Sequence, residues 1–150
     1  MRTAYARGTV PLQPDAALAL WTNVERWPTF IEGFARVVEC SPGWPDEGER
    51  VSWESTPGGR GRVTEKVVER RPDSFSTMVF ESALMGRQTL RAVPHTTGAE
   101  VELSLEYTLV KYGALSVVAD ALFIKRALRD SLQRTVGRFA VEAEDEAGLR

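Results

Sequence analysis

A chain of 150 residues, 43% of them hydrophobic, suits one domain that buries about 70% of the surface its unfolded form exposes. Its 19 Lys and Arg stand against 21 Asp and Glu for a formal charge of -2, which removes any global electrostatic case for a nucleic-acid partner. One cysteine, Cys40, and one histidine, His95, exclude an internal disulfide and leave too few soft ligands for a zinc site.

The opening MRTAYARGTVPLQ has no apolar core of signal-peptide length, and no run approaches the ~20 apolar residues of a membrane span. The expectation is a cytoplasmic protein without metal or cofactor, whose partner is a small molecule. Thr3 to Leu12 mixes Tyr5, Val10 and Leu12 with polar residues and suits a first strand. AALALWTNV follows, with Asp15 or Gln13 near the start of a short helix. Trp27-Pro28 should break that helix, because the residue before a proline is pushed out of the helical region. A second short helix, Pro28 to Glu32, stops at Gly33.

Strands are expected at Phe34 to Cys40 and Glu49 to Ser55, the latter with Val51, Trp53 and Ser55 on one face. Thr56-Pro57-Gly58-Gly59 is a hairpin turn, since glycine supplies the positive φ that tight turns need. Arg60 to Arg70, Ser74 to Ser82 and Arg87 to Val93 are three more strands. The cleanest alternation runs from Glu100 to Leu109, where Val101, Leu103, Leu105, Tyr107 and Leu109 alternate with polar residues. One face of that strand must be buried and the other wet.

From Leu115 to Glu144, Gly and Pro nearly vanish, and Leu115, Ala119, Leu122, Leu128, Leu132, Val136, Phe139 and Ala143 recur at helical spacing. Such a helix is about 45 Å long and needs a partner surface to be stable. The order strand, two short helices, six strands, long helix therefore reads as an α+β fold. A seven-stranded antiparallel curved sheet wraps the long C-terminal helix, with the two short helices between strands 1 and 2.

Several stretches resemble the START-related helix-grip superfamily (SRPBCC), in its polyketide cyclase/dehydrase and lipid-transport branch. They are VERWPTFIEGFARV at 24 to 37, the Gly-Arg-Val-Thr-Glu-Lys-Val run at 61 to 67, the Arg-Pro-Asp turn at 71 to 73 and the Leu-Arg-x-x-Leu pattern at 128 to 132. The resemblance covers nearly the whole chain. It implies an apolar cavity between sheet and C-terminal helix that holds a lipid, polyketide or other hydrophobic molecule. Its members include carriers and enzymes, and it transfers no catalytic motif to named residues here.

Candidate site residues come from face assignment. Alternation groups Gly61, Val63, Glu65 and Val67; if they face inward, Glu65 is a carboxylate whose desolvation suits it to acid-base work. The plainer reading is a sheet-edge carboxylate in water or paired with an arginine. Tyr107 lies on the buried face of the clean strand beside Leu105. It donates either to a ligand carbonyl or to a backbone oxygen. Gln88 shares a face with Leu90 and Ala92 and has the same two readings.

Trp53, Met78 and Phe80 suit the wall of an irregular hydrophobic cavity, or simple core. Trp21, Trp27 and Phe30 read as structural. His95 falls in a turn, and Cys40, at a strand end, as a small buried hydrophobe. On the long helix, Ala119, Leu122, Phe123 and Arg126 are expected to form a pocket wall, and Leu128 to Phe139 to clamp the sheet. Lys125, Arg126, Arg129, Arg134 and Arg138 form a basic surface, either solvating the helix or attracting anionic groups.

Three functions remain open on these residues. They are a binder of a hydrophobic small molecule, an aromatase/cyclase-type enzyme using Glu65 and Tyr107, and a quinone-binding or protein-interaction domain.

Overall fold

The computed structural model describes residues 2–110 and 117–149, and of residues 117–121 the backbone alone. β1 spans Arg2–Val10, α1 Pro14–Thr22 and α2 Trp27–Phe30; β2 is Phe34–Cys40, β3 Arg50–Ser55, β4 Arg62–Arg71, β5 Ser74–Phe80, β6 Leu84–His95 and β7 Gly98–Leu109. The long helix α3 runs Val117–Glu146. The strands form one sheet in the order β1-β7-β6-β5-β4-β3-β2, with every neighbouring pair antiparallel. β2 to β7 are a meander in chain order, and β1 returns to pair with β7. No helix among the described residues is long and apolar enough to cross a membrane.

Local chemistry accounts for the short helices. Gln13 caps α1 in an extended conformation, Pro14 occupies its first turn, and the Asp15 carboxylate accepts the Ala16 N–H at 2.8 Å. The Asn23 side chain then accepts the Glu25 N–H at 3.2 Å and starts a single 3₁₀ turn, Val24–Arg26, that leads directly into α2. The expected break at Trp27-Pro28 therefore falls earlier. Pro28 sits in the first turn of α2, where its missing N–H removes no helical hydrogen bond.

An aromatic cluster fills the space between the short helices, the C-terminal half of α3 and the sheet. Trp21 stacks on Phe30 at 5.4 Å between ring centroids, and Phe139 meets both rings edge-on at 5.5 and 5.1 Å. Trp27 touches Phe34 and Trp44, and Phe34 lies 5.2 Å from Trp53. Two indole N–H groups inside the cluster are satisfied by backbone: Trp27 donates to the Trp21 carbonyl and Trp44 to that of Thr22. Burial with partners is what such amphipathic rings need, and it makes Trp21, Trp27 and Phe30 core residues.

The second half of α3 clamps the sheet, with Leu132, Val136, Phe139 and Ala143 buried. It lies against β1 so closely that a Cβ on Gly8 would come within 2.8 Å of Val136 Cγ1. Arg26 bridges Glu142 and Glu146 at 3.2 and 2.5 Å, and Arg134 pairs with Glu32. The first half behaves differently. Leu122 is 59% and Phe123 75% exposed, and Lys125, Arg126 and Arg129 are exposed with them. β1 covers only about 30 Å against about 45 Å of helix, so α3 outruns the strand it packs on.

The two sheet edges also differ. β1 is covered by α3, whereas β2 is open, with Val37 and Val38 exposed. β2 carries two register irregularities against β3, between Phe34 and Arg36 and between Val37 and Glu39, a device that discourages edge-to-edge pairing. Cys40 ends this strand exposed, contrary to the expectation of a small buried hydrophobe, because the open edge puts no layer over it.

Candidate functional site

Strand register builds the site as two parallel rows on the inner face of the sheet. Residues directly opposite on antiparallel strands point to the same side. One row reads Val51, Glu65, Val79, Gly86, Tyr107 and Arg2 from β3 across to β1. The neighbouring row holds Val67, Thr77, Gln88, Leu105 and Ala4. Trp53 opposes Val63 one step further along β3 and β4. Three strand spacings separate Glu65 from Tyr107, about 14 Å along the sheet.

Glu65 is 5% exposed and inward-facing, and its two oxygens are spoken for. Trp53 Nε1 donates to Oε2 at 2.9 Å; Thr77 Oγ1 donates to Oε1 at 3.1 Å, with Gln88 Nε2 at 3.5 Å from the same oxygen. Burial pushes the carboxyl above the ordinary carboxylate range. The hydrogen bonds from Trp53 and Thr77 and the charge of Arg60 oppose that shift, and Glu81 adds to it. Desolvation prevails because nothing inside the fold replaces the lost hydration in full.

Arg60 reaches this region from the β3–β4 turn. Its guanidinium stands 5.2 Å over the Trp53 ring, and its Nε meets Glu81 Oε2 at 2.5 Å. The Glu81 side chain is 5% exposed, so the pair links the β3–β4 turn to the β5–β6 turn out of water. Gly58 and Gly61, on either side of Arg60, have φ of 82° and 78°, the left-handed conformation that glycine adopts without strain.

At the other end of the row, Tyr107 is fully buried and its hydroxyl has no hydrogen-bond partner among the described residues. Burial pushes the phenol upward, and Arg2 opposes it. Gly86, directly opposite Tyr107, is required there. A Cβ would meet the Glu106 carbonyl oxygen at 2.4 Å and Tyr107 Cβ at 2.9 Å. Between the two polar stations the floor is therefore only Val79 and bare backbone.

The structure sorts the sequence-based candidates. It brings Trp53, Glu65, Gln88, Leu90, Leu105 and Tyr107 to the inner face. Met78 and Phe80 are corrections: β5 turns Phe75, Thr77 and Val79 inward, so Met78 and the 43% exposed Phe80 lie on the outer face. Leu122, Phe123 and Arg126 point to solvent. The side chain of Ala119 lies outside the described residues.

Thr77, Arg60 and Glu81 are the residues that face assignment missed. Thr77 sits two residues before Val79, and the Glu65–Val79 pairing would have given it. The Arg60–Glu81 link joins two turns and leaves no periodic signal. His95 is exposed at its turn and shares a hydrogen bond with Thr97. No three His, Cys, Asp or Glu side chains converge as a metal site among the described residues.

A buried carboxyl, an amide and an unpartnered phenol on an otherwise apolar curved face can hold a hydrophobic molecule by shape and orient it by a few polar contacts. The comparisons bear on the family and the fold. A family model described as polyketide cyclase/dehydrase and lipid transport matches residues 1–144. No curated protein sequence matches significantly.

Among solved structures, the di-domain ARO/CYC StfQ of the steffimycin biosynthetic pathway is 18% identical with a TM-score of 0.76, over 97% of this chain and 51% of that one. Zhui aromatase/cyclase from Streptomyces sp. R1128 is 14% identical with a TM-score of 0.72, over 97% and 95% of the two chains. A norcoclaurine synthase point mutant from Thalictrum flavum is 14% identical with a TM-score of 0.69, over 97% and 96%. At such identities the likeness is one of fold, the helix-grip fold that the sequence resemblance implied.

Proposed function

The chain belongs to the polyketide cyclase/dehydrase and lipid transport family, and from that premise we propose that it binds a hydrophobic small molecule between the inner sheet face and α3. Gln88 and Tyr107 are its polar anchors, with the Glu65 carboxyl held beside Gln88 by Trp53 and Thr77, and Trp53, Leu90 and Leu105 its apolar floor. The observation that carries this reading is the Tyr107 hydroxyl, buried without a partner among the described residues. A buried hydroxyl left unmatched costs about 1–3 kcal/mol, and a ligand acceptor removes that cost. Titration with the uncharged dye Nile red tests the proposal: saturable binding near one dye per chain is expected. Absence of saturable binding, together with bare protein in native mass spectrometry after gentle purification, overturns it.

Glu65 favours a second reading, that of an aromatase/cyclase-type enzyme. A carboxyl held above its ordinary range by burial is suited to exchange protons with a bound substrate, and a site that fixes a folded chain supplies proximity. Unchanged product distribution from a poly-β-ketone substrate in a Glu65→Gln variant would reject that role.

A further inference from the structure

We propose that this site takes uncharged ligands bearing a carbonyl or hydroxyl oxygen and rejects free carboxylic acids of the same length, an inference that rests on the binding reading above. The argument is one of charge inventory. On the inner face, the ionisable side chains around the Glu65 end are Glu65 itself, Glu81 and Arg60, and Arg60 is committed to Glu81 at 2.5 Å.

An incoming carboxylate there meets two carboxyl groups and, among the described residues, no free cation. Glu65 offers it nothing, since its oxygens already accept from Trp53 and Thr77. Arg87, next to Gln88 in the chain, sits opposite Met78 on the outer face and pairs with Glu69 at 3.2 Å. Burying an unpaired carboxylate is far costlier than burying a neutral oxygen.

Tyr107 completes the preference. Its O–H is a donor with no acceptor among the described residues, so the matching ligand atom is an oxygen lone pair. Gly86 and Val79 keep the floor beside it clear of polar groups. Arg2 is the one cation in the same row, half-buried at the β1 edge. It is the place where an acid would bind if the preference were wrong.

The test displaces bound Nile red with three twelve-carbon probes: methyl decyl ketone, dodecanoic acid and dodecane. At pH 7 the ketone is expected to bind at least about tenfold more tightly than the acid and about fivefold more tightly than the alkane, the range of one hydrogen bond. In Tyr107→Phe the ketone should lose its advantage over dodecane while dodecane binds as before.

Equal or tighter binding of the acid overturns the proposal, and loss of that acid binding in Arg2→Gln would identify the rim as the reason. A ketone advantage that survives Tyr107→Phe also overturns it. If dye binds but ignores the chemistry of all three probes, the selectivity fails while the pocket stands. If the dye itself does not bind, the pocket reading fails first and the selectivity with it.

Discussion

Trp53 donates its indole N–H to Glu65 across a strand boundary, 2.9 Å from Nε1 to Oε2, with both side chains inside the sheet's curve. The bond holds the carboxyl in one orientation but does not keep it in the ordinary titration range, because burial outweighs it. The sign of the consequence is fixed. A carboxyl whose folded pKa lies above the ordinary 4.5 contributes most below that value, and its contribution falls as pH rises toward the folded value. Urea midpoints of the wild type minus those of Glu65→Gln should therefore decline as pH rises above 4.5. A difference independent of pH sinks the assignment.

Tyr107→Phe removes a hydroxyl that has no partner among the described residues. The ligand-free protein should gain up to about 1 kcal/mol from the change, seen as a raised urea midpoint with an unaltered slope. A loss of stability larger than about 1 kcal/mol would reveal an acceptor for the hydroxyl.

The two halves of α3 should respond oppositely to truncation. Phe139→Ala opens the aromatic cluster around Trp21 and Phe30 and should cost about 3–5 kcal/mol. Phe123→Ala, at a position 75% exposed, should stay within about 0.5 kcal/mol of wild type. Thermal or urea unfolding of the pair checks the contrast, and comparable losses would contradict it.

Arg60 and Glu81 form a pair with a half-buried cation and a buried anion. Arg60→Met leaves the Glu81 carboxylate without its partner and should cost about 3 kcal/mol. Arg60→Met combined with Glu81→Gln should recover most of that loss. A double-mutant cycle with a coupling near zero would show that the two side chains act independently.

Much of this was readable in the chain. The alternation from Glu100 to Leu109 fixes the inner face of β7 without help, because polar and apolar residues segregate cleanly there. Glu65 falls inward for the same reason, flanked by Val63 and Val67 at period two. β5 defeats that logic: Phe75, Met78, Val79 and Phe80 put apolar residues on both faces. Its phase is set by long-range pairing, Glu65 with Val79 and Val67 with Thr77.

The register irregularity between Val67 and Glu69 also hides that pairing from any count along the strand. Leu122 and Phe123 continue the apolar stripe of α3, yet periodicity reports which side of a helix is apolar and not how far the opposing strand extends. The Arg60–Glu81 link depends on two turns meeting in space, which no local pattern encodes.

The close approach of Gly8 to Val136 has a mechanical corollary. A helix pressed against the strand backbone at this point, and tied on either side of it by Glu32–Arg134, Phe139 and Glu142, has a fulcrum there. Thirteen residues of lever, about 20 Å, separate Val136 from Phe123. A tilt of about 5° at the fulcrum displaces Phe123 by about 2 Å, while the aromatic cluster near the pivot hardly shifts. The placement of the exposed first half of α3 is thus set by a hinge point made of one missing methyl group.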